Sequence, residues 1–210
     1  MSDEKLPPNN RYLFAMKRSL LLLTAGLLAY AGAARAQTKY LTKTGNVSFF
    51  SATPIEDIAA QNNQVAAVVD VSTGQLAFSV PIKGFVFKRT LMQEHFNENY
   101  LESDKFPKAT FSGRFTGADA AELAQPGPHA VQATGDLAIH GVTHRVATPA
   151  TLELKNGQLL ATASFSVASA DYNIEIPLLV RNNIAKIVTV RVALACAPVP
   201  GAVGATSAPR

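Results

Sequence analysis

The sequence predicts an all-β protein with a single antiparallel domain of about eight strands. Apolar residues alternate at period two along most of the chain, and turns rich in Gly and Asn separate the alternating runs at even spacing. The length of 210 residues fits one domain. Alternation alone leaves two alternatives open, a β-sandwich and a β-barrel.

The first predicted strands lie between residues 65 and 115. Val65–Val71 alternates, and a Ser-Thr-Gly turn leads into Gln75–Ile82, whose apolar side chains share one face. At Gly84 the apolar positions change parity to Phe85 and Phe87, which is typical of a β-bulge or a barrel corner. Ala109–Phe115 forms the next strand.

The remaining strands are separated by short turns. Asn156-Gly157 is a strong signal for a two-residue hairpin, and His140-Gly141 is read as a similar turn. The predicted strands around these turns contain Leu137–Ile139, Leu152–Leu154, Leu159–Val167 and Ile184–Leu194.

Two segments are expected to be short helices. Pro54–Gln61 has Thr53 as an N-cap, Pro at its first position and acidic residues in its first turn. Leu91–Tyr100 has Thr90 as its cap and places Leu91, Met92 and His95 on one side. Loops are expected at 117–128 and 171–183, and a disordered tail at 198–210.

Residues 1–36 are interpreted as a leader that contains a signal peptide. Lys17 and Arg18 precede an apolar run of 12 residues, Leu20–Ala31, and Ala34-Arg35-Ala36 is a cleavage motif. The run is short for a membrane anchor, the alternative interpretation, since a span needs about 20 apolar residues. We expect translation to start at Met16 and cleavage after Ala36, which gives a periplasmic or secreted protein without a stable membrane anchor.

Charge and cysteine content exclude several classes of protein. The whole chain has a net charge of +4, but without the leader it retains 14 basic and 13 acidic residues, a net of +1. Together with the absence of a basic stripe, this argues against a nucleic-acid partner. A single cysteine, Cys196, excludes an internal disulfide and is expected to be a small buried residue at a strand end.

The search for catalytic or metal-binding motifs returns little. His140 and His144 flank a turn, where their spacing is a weak metal signal and solvated side chains are expected. His95 is either a histidine satisfied by local hydrogen bonds or a polar group at a cavity mouth. An enzyme using His95 would lack a partner residue. We therefore expect no catalysis, no cofactor and no metal.

Phenylalanines are concentrated in one part of the chain. Nine of the 11 lie between residues 49 and 115. Such a lining suits a cavity for a long apolar ligand, although phenylalanines that simply fill the core would give the same pattern.

Three segments in order resemble the YceI-like family of exported lipid-binding β-barrels. They are Gly84–Phe115, with its Phe-Pro-Lys-Ala-Thr-Phe stretch; Gly135–Leu154, with Gly-Val-Thr after a strand; and Ala163–Ile174, with Ser-Phe-Ser-Val and Asp-Tyr-Asn. The resemblance extends over most of Val65–Leu194. The chain departs from the family pattern near its start, where a Pro-led segment follows Val47-Ser48-Phe49.

The resemblance implies that residues 37–197 form an eight-stranded antiparallel lipocalin-like barrel. Its interior would hold a polyisoprenoid or similar amphiphilic lipid. A homodimer is a possible assembly state. The expected lining is Phe78, Val80, Phe85, Phe87, Leu91, Phe111, Phe115 and Phe165. Lys88, Arg89 and His95 are expected at the mouth, where the cations would suit a phosphate head group. The alternative is a solidly packed barrel that acts as a structural or protein-interaction module.

Overall fold

The strands account for most of the fold. A computed structural model describes residues 38–52, 57–176 and 186–200. Within these ranges the strands are β1 (Lys39–Ser51), β2 (Ile58–Asp70), β3 (Gln75–Pro81), β4 (Val86–Phe87), β5 (Lys108–Thr116), β6 (His129–Ile139), β7 (Val142–Lys155), β8 (Gln158–Ala168) and β9 (Ile187–Pro198).

Eight of these strands close into a barrel. Strand β1 pairs with β2 on one side and with β9 on the other, and every neighbouring pair is antiparallel. The short β4 is an extra strand paired with β2. The predicted all-β antiparallel barrel is confirmed, and the sandwich alternative is wrong.

Parity fixes which side chains enter the barrel. In β5, Phe111 and Phe115 are buried while the residues between them are more exposed, and Leu159 begins the same alternation in β8. The hairpin turns His140-Gly141 and Asn156-Gly157 have positive φ at both residues, the geometry that matches strand twist. The inward faces predicted from alternation are therefore the barrel interior.

The parity change at Gly84 marks a break between two strands. Strand β3 ends at Pro81, and a 3-10 turn at Ile82–Gly84 separates it from β4. The fully buried Asn62 of β2 fills the gap, because its Nδ2 donates to the Pro81 carbonyl at 2.7 Å. A Cβ at position 84 would lie 2.8 Å from that nitrogen, so only glycine leaves room for the Asn62 amide.

The predicted helix at Pro54–Gln61 is wrong where the structure describes it. Ile58–Gln61 is the start of β2 and pairs with Ser48–Ser51 of β1. The long ladder with β1 and the burial of Ala60 outweigh the helical cap pattern. The cap and first turn, residues 53–56, lie outside the described residues.

The second predicted helix is confirmed, with a different start. Helix α1 spans Thr90–His95 and continues into a π-type turn at Phe96–Tyr100. Thr90 lies inside the helix, and Arg89 occupies the N-cap position without a side-chain cap bond.

An unpredicted helix lies in the expected loop at 117–128. Helix α2 spans Ala120–Leu123, and its Asp119 and Glu122 form a reciprocal capping box. Leu123 is fully buried. The expectation of disorder is wrong for Pro198, which pairs with Tyr40 of β1. The leader lies outside the described residues, as does the tail from 201 onward.

Candidate functional site

A cavity lies in the upper half of the barrel, the end at which α1 connects β4 to β5. Its volume is about 340 Å³, within the range of small-molecule sites. Strands β1, β2, β3, β4, β5, β6, β8 and β9 supply its wall, with α1 and the segments around it. The side chains of the described residues therefore do not fill the upper half of the interior.

Four phenylalanines form one side of this upper cavity. Phe49 of β1, Phe85, Phe87 of β4 and Phe96 of the π-type turn have ring centroids 5.0 to 5.7 Å apart. Met92 lies four residues before Phe96, one helical turn away, and also lines the cavity. Helix α1 therefore adds an apolar face to the strand-borne aromatic wall.

Polar groups are few in the wall of the upper cavity. Among the described residues they are Ser51, His95, Tyr100 and Ser169. Ser51 is 3% exposed, and within the described part of the chain its Oγ has no hydrogen-bond partner. Burial raises the pKa of Tyr100 above its usual value, so its hydroxyl stays protonated at neutral pH. These groups favour a ligand that is apolar along its length and polar at one end.

A smaller cavity of about 70 Å³ lies in the lower half, towards α2. Phe111, Phe115, Val131 and Leu152 line it together with several alanines. It is wholly apolar apart from Thr148 and Thr162 among the described residues that line it. The interior is thus a large upper cavity and a small lower cavity.

The predicted lining residues divide between the two cavities. The upper one is lined by Phe78, Val80, Phe85, Phe87 and Phe165, and the lower one by Phe78, Phe111, Phe115 and Phe165. The prediction that Leu91 lines the cavity is wrong, because Leu91 is 54% exposed and borders neither cavity. The inward positions on α1 belong to Met92, His95 and the following Phe96.

Of the three residues predicted at the mouth, one borders the upper cavity and two do not. His95 is exposed and borders the upper cavity, so the cavity wall reaches the surface there. Lys88 and Arg89 are exposed in the bend before α1 and do not line the cavity. Any contact of these cations with a ligand would be with a part that projects beyond the wall.

Sequence reasoning missed several wall residues. Phe49 and Ser51 lie on the inward side of β1, a strand that was not predicted from the sequence. Ile58 was assigned to a helix, and Phe96 was not placed on the inward side of α1. Helical spacing from Met92 would have identified Phe96.

A network of hydrogen bonds holds the segment that follows β8 against the rim. His140 Nδ1 lies 3.1 Å from the Tyr172 carbonyl, and its Nε2 lies 2.8 Å from Glu102 Oε2. His144 Nε2 donates to the Asp171 carbonyl at 2.7 Å. The expectation of a solvated turn is wrong for His140, whose side chain is 10% exposed and packs on Phe106.

The described residues contain neither a metal-binding cluster nor a membrane-spanning helix. Within ranges 38–52, 57–176 and 186–200, no three His, Cys, Asp or Glu side chains cluster in a way that would hold a metal ion. No helix in those ranges is long and apolar enough to cross a bilayer.

Solved structures share this fold at low sequence identity. A polyisoprenoid-binding domain from Saccharophagus degradans, implicated in plant cell wall breakdown, matches with a TM-score of 0.68 and 17% identity, over 78% of this chain and 99% of that one. BcnA of Burkholderia cenocepacia matches with a TM-score of 0.62 and 16% identity, over 72% and 95%. The YceI protein of Campylobacter jejuni matches with a TM-score of 0.52 and 13% identity, over 69% and 88%.

The sequence itself identifies the family of this chain. No protein of curated function matches it. The family model for the YceI-like domain matches residues 37–196, which contain every described strand except the last two residues of β9. The chain therefore belongs to the YceI-like family.

Proposed function

We propose that this protein is an exported, non-enzymatic carrier for an amphiphilic lipid with an apolar chain of the isoprenoid type. The upper cavity carries the proposal, because an aromatic-rich space of about 340 Å³ exists inside a barrel of this family. The Saccharophagus degradans domain, which has the same fold, is described as polyisoprenoid-binding. This description supports an isoprenoid as the class of ligand. Each buried methylene contributes about 0.8 kcal/mol before ordering costs.

The polar end of the ligand is assigned to the upper rim. Ser51 offers an unpartnered buried hydroxyl, and His95 lies where the cavity wall meets solvent. A ligand hydroxyl or phosphate there would satisfy Ser51 and leave the chain among the phenylalanines. Lys88 and Arg89 would contact a charged head group only beyond the wall.

The primary test is to identify what co-purifies with the protein. Mass spectrometry of an organic extract of the exported protein should show an isoprenoid or similar lipid in stoichiometric amount. Delipidated protein should then bind farnesol, and farnesol should raise its unfolding midpoint, since a ligand of the native state stabilises it. Failure of both the extract and the rebinding would favour the packed or interaction module.

A matched pair of variants localises the binding. Ala109 borders the upper cavity, whereas Ala147 is exposed on β7 and borders neither cavity. Ala109→Phe should abolish farnesol binding because the new ring occupies the cavity, and Ala147→Phe should bind like the wild type. Equal binding by both variants would place the ligand elsewhere.

The head-group contact is tested with a charge pair. A Lys88→Gln/Arg89→Gln variant should bind farnesyl phosphate more weakly and farnesol unchanged, because charge-assisted bonds involve only the phosphate. The loss should be modest, since both cations are exposed. Equal losses for the two ligands would show that the pair has no head-group role.

A further inference from the structure

The two cavities of the barrel share one wall. Phe78, Leu137, Phe165 and Val192 border both the upper and the lower cavity. These four side chains, from β3, β6, β8 and β9, form a partition across the interior. An apolar chain that enters from the upper rim meets this partition before it reaches the lower cavity.

The Phe78 ring is the part of the partition held from below. It stacks on Phe111 with centroids 5.1 Å apart and planes 11° apart, and the two residues are opposite each other in the β3–β5 ladder. Phe111 is itself fixed, since a Cβ at Gly113 or Gly135 would lie 2.9 or 2.6 Å from its Cζ. The paired glycines make a flat floor on which Phe111 rests.

Below the partition, four alanines lie among the larger side chains that line the space. Ala133, Ala150, Ala161 and Ala163 border the lower cavity, whose volume is about 70 Å³. This cavity is largely apolar, and the four partition side chains, two of them phenylalanines, lie between it and the upper cavity. It is additional room for a chain only if the partition is opened.

We propose that Phe78 sets the maximum chain length of the lipid by closing the lower cavity to it. The inference rests on the proposed function and adds a specificity determinant to it. A chain that fills the upper cavity gains nothing from further carbons, because these must remain outside in water. Selection for length then resides in the partition, with Phe78 as its main part, rather than in the mouth.

The test is a chain-length series on delipidated protein. Dissociation constants are measured for straight-chain primary alcohols of increasing length. In the wild type each added methylene should lower Kd by about three- to fourfold, which corresponds to about 0.8 kcal/mol, until a break beyond which Kd stays constant. In Phe78→Ala the break should move to longer chains, with the same slope before it.

Two matched variants distinguish the effect of opening the partition from the effect of changing the volume of the lower cavity. Phe115 borders only the lower cavity, so Phe115→Ala enlarges that cavity and should leave the break unchanged. Ala133 also borders only the lower cavity, so Ala133→Leu in the Phe78→Ala background should return the break to the wild-type length. Leu137→Ala, which removes another part of the partition, replaces Phe78→Ala if that variant does not fold.

Each outcome decides the point. An unchanged break in Phe78→Ala and Leu137→Ala, or an equal shift in Phe115→Ala, would overturn the proposal. A series in which the wild type binds no alcohol of any length would instead contradict the proposed function. If binding strengthens with chain length without a break, the carrier proposal stands and the proposal that the partition limits chain length is wrong.

Discussion

Ser51 carries the most specific polar signal in the barrel interior. Its hydroxyl is buried at the wall of the upper cavity, and in the described part of the protein it is one of two buried side-chain polar atoms without a partner. A buried, unsatisfied hydroxyl costs stability. Such a group is retained at low cost only if a ligand or water completes it.

Replacing this hydroxyl should have opposite effects on the empty and the loaded protein. Ser51→Ala should leave the free energy of unfolding of delipidated protein unchanged or raise it by about 1 kcal/mol, because no bond is lost. It should weaken farnesol binding by about 0.5–1.5 kcal/mol while the binding of a hydrocarbon of equal length is unaffected. Calorimetric titration measures both affinities. An equal effect on alcohol and hydrocarbon would show that Ser51 makes no polar contact.

Cys196 is expected to be chemically silent in the native protein. It is fully buried near the lower end of β9, and burial raises the pKa of its thiol to about 11. Because the thiolate is the reactive form, native protein at neutral pH should react with a thiol reagent no faster than it unfolds. In urea one thiol per chain should react at once. Rapid labelling of the native state would contradict this.

The β6–β7 turn is the element that positions the rim. His140 bridges Glu102, which follows the π-type turn, and the Tyr172 carbonyl of the 3-10 turn Ser169–Tyr172. Each ring nitrogen of His140 thus faces an oxygen atom of a different segment, so one side chain ties the two segments together. Residues just beyond Tyr172, Ile174 and Ile176, belong to the cavity wall.

Breaking this bridge should loosen the rim. His140→Asn tolerates the positive φ at this position but cannot make both bonds, so it should lower the free energy of unfolding by about 1–3 kcal/mol. It should also speed release of bound farnesol, since the wall segment after β8 loses its anchor. Urea unfolding and stopped-flow displacement measure the two effects. His129→Asn is the control, because His129 makes only a local bond to Gln125; if both variants behave alike, the bridge has no special role.

At the scale of the whole molecule, we predict that the leader directs export of the barrel. We predict that exported protein begins at Gln37, the residue at which the family match also begins. Ala36→Asp should block cleavage, because the motif requires a small residue, and should leave a longer precursor. N-terminal sequencing and intact mass measure this. Exported protein that retains residues before Met16 would contradict both the start site and the cleavage.

How much the sequence revealed varies along the chain. Parity in Gln75–Ile82, Leu159–Val167 and Val188–Leu194 correctly gave the inward faces, because alternation reflects burial directly. The first strand was hidden, since Thr42–Val47 contains bulges that disturb its period. The helix predicted at Pro54–Gln61 is wrong over Ile58–Gln61, because cap residues are a weaker influence than a long ladder.

The sequence by itself determined most of the strands, the hairpin turns and the family, because these depend on local alternation, on turn chemistry and on motifs that are read in order. The tertiary structure alone decided the closure of β1 on β9, the placement of Phe96 over the barrel and the partition at Phe78. The reason is that a cavity is the space that distant side chains leave between them. Its size and its divisions depend on non-local packing that no single segment of the sequence specifies.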